Sequence, residues 1–97
     1  MAIIEEINKQ EELRKKFERI RSLWDVKLPK GYGLDFNEGE CILYYKAFME
    51  RIKIADVDIE EDIIIINFKD EEDYKKLRLY FADSKTKFKL FVNGYYY

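Results

Sequence analysis

Histidine is missing from all 97 residues. Its absence removes the commonest general base and the commonest metal ligand. There is one cysteine, Cys41. It cannot close an internal disulfide, and with no histidine to activate it the residue reads as a small core side chain rather than a nucleophile. A lone thiol fits a reducing compartment. The four glycines stand at 31, 33, 39 and 94 and none opens a helix, so there is no phosphate-cradling loop. No cofactor motif is present and no cofactor is expected.

No apolar run approaches the roughly 18 residues of a membrane helix. The first ten residues, MAIIEEINKQ, carry acids where a signal peptide carries bases. A cytoplasmic protein is expected, in the host cytoplasm if the chain is viral, with no membrane partner. Gln10 is the only glutamine, while Ile, Lys, Glu and Tyr abound. Hyperthermophiles share that bias, as do AT-rich genomes. It suggests an archaeon or one of its viruses as the source.

The chain is long enough for one core, and residues 1–97 are read as a single domain. Hydrophobic residues make up 47%, too many for a disordered chain. The net charge of −2 conceals an uneven distribution. Residues 8–30 carry a net +4. Residues 31–73 hold 4 bases and 13 acids, net −9, and residues 74–97 carry +5.

The strongest local pattern runs over residues 52–81. Ala55, Val57 and Ile59 alternate with Asp56, Asp58 and Glu60, which is a strand with one dry and one wet face. Ile52 and Ile54 have the opposite parity, so a bulge is expected near Ala55. Glu60, Glu61 and Asp62 form a turn. Ile63–Ile66 are four β-branched residues in succession, which disfavours helix and suits an interior strand covered on both faces. Asp70 then caps a helix whose first turn holds Glu71, Glu72 and Asp73. Tyr74, Leu77, Tyr80 and Phe81 make its apolar face, and Leu79 points away from it.

Residues 9–25 predict an amphipathic helix with the stripe Leu13, Phe17, Ile20 and Trp24. Asn8 and Glu11 resemble a capping box. On that reading residues 2–7 form a short strand or arm; a single helix starting at Ile3 is the alternative. Pro29, Gly31 and Gly33 mark a loop. Strands are expected over residues 32–36, 41–48 and 87–92, with Phe88, Leu90 and Val92 on one face of the last. Residues 37–39 and 49–50 form turns, residues 82–86 a loop, and Asn93–Gly94 punctuate the end. The fold class is α+β: an antiparallel sheet of about four to five strands packed on two amphipathic helices, in the order α-β-β-β-β-α-β. A strand at residues 2–7 would permit a ferredoxin-like arrangement instead.

Three groups could carry function. The acids Asp56, Asp58, Glu60, Glu61 and Asp62 cluster on one strand and its turn. Like charges fixed on a sheet are costly unless something uses them, so they suggest a surface for a basic protein partner. Clustered oxygens also suit Mg²⁺ or Ca²⁺, but the glycine and distal glutamate of a calcium loop are missing. A solvated face that discourages sheet aggregation explains them as well. Among the tyrosines, Tyr44 and Tyr45 are strand neighbours, so one of them faces away from the core. Tyr45 joins the acids as a candidate protein-binding residue, and Tyr95–Tyr97 are either an interface or a tail folded over the core. The third group is basic: Arg14, Lys15 and Arg19 on one helix and Lys75, Lys76 and Arg78 on the other could grip phosphates.

The functional expectation is a small non-enzymatic protein-interaction module, of the kind used by viral or host-defence inhibitors, acting on a protein partner or a second copy of itself. Nucleic-acid binding through the helix faces is the alternative. The sequence pI of 5.3 weighs against it.

Overall fold

A computed structural model describes residues 2–83 and 89–97. The chain runs α1 (Ala2–Leu23), β1 (Tyr32–Asn37), β2 (Glu40–Ala47), β3 (Glu50–Glu60), β4 (Ile63–Phe68), α2 (Glu71–Ala82), β5 (Lys89–Val92) and β6 (Tyr95–Tyr96). It is an α+β fold in which six strands lie in one sheet in sequence order.

The chain start departs from the expected strand. One helix runs unbroken through Asn8. No glycine or proline stands between Ala2 and Leu28 to interrupt it, and a capping-box pattern inside a helix has no free amides to bind. With no strand there, the ferredoxin-like order does not apply. Helical geometry ends at Leu23, although the Trp24 amide still donates to the Ile20 carbonyl at 2.9 Å. The side chains of Ile3, Ile4 and Ile7 lie outside the described residues, as does the expected strand start at Lys87 and Phe88.

The meander β1 to β4 is antiparallel, but β5 pairs parallel to β4 because α2 carries the chain back across the sheet. The sheet is therefore mixed, not antiparallel throughout. A sixth strand follows because Asn93 (φ 48°) and Gly94 (φ 86°) form a two-residue turn with both φ positive. Asn93 Oδ1 also accepts from the Phe68 amide at 2.8 Å, which ties this turn to the end of β4.

The expected bulge is present. Leu43 pairs with Ala55 but Tyr44 pairs with Lys53, so Ile54 is an extra residue on β3. It lets Ile54 and Ala55 both turn inward, where both are buried. It also leaves Lys53 and Asp56 on the same outer face, with Lys53 Nζ 2.6 Å from Asp56 Oδ1. The register shift thus serves the core and creates an ion pair in one step.

Both helices lie on one face of the sheet. On this inner face Leu43, Ala55, Val57, Ile59, Ile64, Ile66, Leu90 and Val92 meet Ile20 of α1 and Tyr74, Leu77 and Phe81 of α2. Asp70 caps α2 as expected, Oδ1 accepting from the Glu72 amide at 3.0 Å. Tyr80 does not join the apolar face of α2; it stays exposed beside Leu79. The Ile63–Ile66 strand is interior to the sheet, but no described element covers its second face. Ile64 and Ile66 are fully buried, whereas Ile63 and Ile65 are only half-buried.

Candidate interaction surface

The outer face of the sheet reads across the strands from the register. Gly33 and Asp35 come from β1, Ile42 and Tyr44 from β2, and Lys53, Asp56, Asp58 and Glu60 from β3. Ile63, Ile65 and Asn67 of β4 follow, then Lys89 and Phe91 of β5 and Tyr96 of β6. This face has two halves of different character.

The half over β1 to β3 is sealed by its own polar side chains. Ile42 lies on it yet is only 3% exposed. Lys53 Nζ reaches Glu40 Oε2 at 2.9 Å and Asp56 Oδ1 at 2.6 Å, and its aliphatic stem lies across Ile42, which stands between Glu40 and Tyr44 on β2 and opposite Asp56. The two carboxylates hold the Lys53 ammonium above the usual lysine range. Next to this roof the Tyr44 ring lies against Gly33. A methyl group there would meet the Tyr44 hydroxyl at 2.7 Å. The Arg51 guanidinium sits 4.7 Å above the same ring and donates to Asp35 Oδ2 at 2.9 Å. Arg51 therefore has its pKa raised, chiefly through that hydrogen bond.

The half over β4 to β6 has no such roof. Ile63, Ile65 and Phe91 form a half-buried apolar strip, and Tyr96 lies 4.7 Å from Phe91, ring centre to ring centre. Asp58 and Glu60 line the strip on the β3 side, directly paired with Ile65 and Ile63. The result is an open apolar strip with Asp58 and Glu60 on its β3 side and Lys89 opposite Ile63 on its β5 side.

The five acids singled out in sequence therefore divide. Asp56 is engaged by Lys53. Asp58 Oδ1 accepts from the Ile59 amide at 2.8 Å and lies 3.5 Å from Lys16 Nζ of α1. Asp62, in the turn, accepts from Arg19 at 2.9 Å. Glu60 and Glu61 have no ion pair among the described residues. The acidic block and the basic side of α1 thus partly neutralise each other, through exposed pairs worth at most about 1 kcal/mol each. Of the six bases, Arg19 is spent on Asp62 and Lys75 stands 3.8 Å from Glu72. Arg14, Lys15, Lys76 and Arg78 are exposed, without an ion pair among the described residues. They are divided between two helices.

Tyr45 is not on the acidic face. Tyr44 is the one that turns outward. Tyr45 lies on the helix side, exposed, with its ring centre 4.9 Å from that of Tyr32. The C-terminal tyrosines fold back. The Tyr97 amide donates to the Leu90 carbonyl at 2.9 Å, its hydroxyl meets that of Tyr74, and Tyr95 stacks on the Tyr74 ring. Burial, with help from the Tyr74 hydroxyl, pushes the Tyr97 phenol up to about 12. Tyr95 and Tyr96 remain largely exposed all the same.

A cleft of about 230 Å³ opens between α1 and the β2–β3 pair, lined by Leu13, Lys16, Ile20, Cys41, Asp56 and Asp58. Burial, reinforced by Asp58 and Asp35, pushes the Cys41 thiol up to about 12. It is protonated at neutral pH and a poor nucleophile. Among the described residues no three acids or thiols are grouped to hold a metal ion. No described helix is long and apolar enough to cross a membrane.

One feature was not picked out in sequence. The turn between β2 and β3 falls on Phe48 and Met49, not on residues 49–50, and Phe48 is 100% exposed and Met49 94%. Phe48 has φ 55°, at a turn position that favours glycine. The apolar run of residues 41–48 reads as strand to its end, so nothing in the period marked Phe48 as a tip. In comparisons with known proteins, no family model, curated protein or solved structure matches the chain.

Proposed function

We propose that this protein is a non-enzymatic interaction module that docks a protein partner on the outer face of its sheet. The contact would centre on Ile63, Ile65, Phe91 and Tyr96, with Asp58, Glu60 and Glu61 selecting a basic border on the partner. The reading rests on one observation: an interior strand keeps two isoleucines only half-buried beside Glu60, a carboxylate without an ion pair among the described residues, with no described element over them. Apolar area of this kind next to charge is what a recognition patch needs, a dry centre and a polar rim. A small inhibitor, viral or of host defence, is the class of protein that such a compact surface would suit.

The test is affinity capture and cross-linking from source cells with wild type and Glu60→Lys/Ile65→Lys. Both must be shown folded by circular dichroism. Loss of a stoichiometric partner in the variant alone supports the docking face; equal capture by both removes it. The nucleic-acid alternative rests on Arg14, Lys15, Lys76 and Arg78, which stay free of ion pairs among the described residues. It requires affinity for duplex or single strands that falls steeply with salt. Its absence at low salt ends that reading.

A further inference from the structure

The β2–β3 hairpin tip has the properties complementary to the open strip. Phe48 and Met49 are almost wholly in water. Behind them Lys46 and Arg51 face each other directly across the two strands on the outer face. Like charges so placed repel, and Lys46 has no ion pair among the described residues. Phe48 also holds a left-handed φ of 55° that an L side chain takes at a cost. Arg51 is held by Asp35 and the Tyr44 ring, which leaves Lys46 as the unpaired base. Exposed apolar surface, that base and backbone strain meet in one short turn.

The tip is an apolar knob with one unpaired base, Lys46, behind it. The open strip is an apolar face with an unpaired carboxylate, Glu60, at its edge. The knob cannot reach the strip of its own chain. Met49 stands just before the first residue of the 11-residue β3, and Asp58 and Glu60 stand at its far end, about 35 Å away at roughly 3.3 Å per residue. The molecule is 45 Å long, so the two features lie towards opposite ends.

We infer that the partner on the open strip is a second copy of this chain, which inserts its Phe48–Met49 tip over Ile63, Ile65 and Phe91 and places Lys46 against Glu60. This inference rests on the docking face described above and names its occupant. The contact is head-to-tail: knob and strip are different surfaces, so each copy keeps one of each free and assembly continues or closes into a ring. An anionic membrane would accept the tip and Lys46 but leave the open strip and Glu60 unused. A second copy satisfies both surfaces with a single contact.

The experiment is sedimentation equilibrium of the full chain at low salt, from about 10 μM to about 1 mM, the range in which so small an interface acts. Wild type should rise above its monomer mass of 11.9 kDa with concentration. Phe48→Ser, at a site that supports no folded contact, should associate at least about tenfold more weakly. The tip variant Lys46→Glu/Met49→Glu and the face variant Glu60→Lys/Ile65→Lys should each remain monomeric. Mixed together they should associate again, since reversed tip then meets reversed face. A wild type that stays at 11.9 kDa up to about 1 mM overturns the inference, as does a mixture that fails to associate. Cosedimentation of the monomer with phosphatidylserine vesicles, lost in Phe48→Ser, would also overturn it by assigning the tip to a membrane. If wild type is monomeric but Glu60→Lys/Ile65→Lys loses a cellular partner, the docking face stands and only its occupant is wrong. If that variant keeps the partner, the docking face itself is wrong.

Discussion

Replacing Phe48 by glycine should stabilise the monomer, although it deletes a whole aromatic ring. Its ring is fully exposed, so its removal forfeits essentially no burial. What it removes is backbone strain. An L residue held at φ 55° carries a penalty of roughly 1–2 kcal/mol that glycine does not. Glycine in turn loses more freedom on folding, about 0.5–1 kcal/mol. The difference leaves a gain of about 0.5–1 kcal/mol, or roughly 2–8 °C in Tm for a domain of this size. Phe48→Ala keeps the strain and should stay within about 0.5 kcal/mol of wild type. Urea titration at low micromolar concentration measures both, read by circular dichroism and by the fluorescence of Trp24, the single tryptophan, which packs edge-on to Phe81. An unchanged m-value is needed for the comparison. A Phe48→Gly protein that is less stable than wild type by about 1 kcal/mol or more would refute the reasoning. It would mean that the ring has folded contacts or that the turn does not hold its positive φ.

Ile64→Ala should cost about 2–5 kcal/mol because it opens a cavity in a fully buried site, while Ile65→Ala, one residue on but on the open face, should cost clearly less; equal losses in urea titration would mean that both faces are covered. Alkaline stability should fall between about pH 9 and 12. The Cys41 thiol is held protonated in the folded state with a pKa of about 12, so its contribution is complete below the unfolded value near 9 and disappears as pH rises through the window. Cys41→Ala should flatten that slope, and Tyr97→Phe should remove most of the rest, since burial raises that phenol to about 12 as well; an unchanged slope in Cys41→Ala speaks against a buried thiol. Asp70→Ala should lower stability by about 0.5–2 kcal/mol through the loss of the α2 cap, and Asp70→Asn should recover most of it.

Elements with a local cause were legible in the sequence. The period of residues 55–60 set the β3 face, the parity break at Ile54 announced the bulge, and Asp70 marked the start of α2. Where the fold differs, the deciding contact is distant in sequence. Nothing in Ile63–Ile66 says that both helices settle on one face, so an all-apolar strand read as doubly covered. The pairing of Asp58 with Lys16 and of Asp62 with Arg19 spans more than forty residues; the sequence shows two charged blocks and cannot show that they meet. Tyr44 and Tyr45 face opposite ways as strand neighbours, and the sequence does not say which of them shares the outer face with the acids. The Phe48–Met49 tip was hidden for a related reason. Only the observed register, Ala47 opposite Glu50, puts those two residues in the turn.

The outer face also shows why openness here is a property of side-chain chemistry and not only of topology. Ile42 and Ile65 stand on the same uncovered face of the same sheet. Ile42 is nearly sealed because Lys53 is long enough to lie across it and two carboxylates, Glu40 and Asp56, pin its far end. Ile65 has Asp58 and Asn67 beside it, whose side chains are too short to arch over a neighbour, and Phe91 opposite. Asp58 is moreover drawn to the Ile59 amide and to Lys16. Lys89, opposite Ile63 on the same face, has a long aliphatic stem ending in a positive charge, but it is exposed and no carboxylate pins it among the described residues. Lys46, Phe48 and Met49 bring such a stem together with apolar bulk in one hairpin. The chain already covers an exposed isoleucine in this way once, within a single copy; docking the tip of a second copy would repeat the same chemistry between molecules.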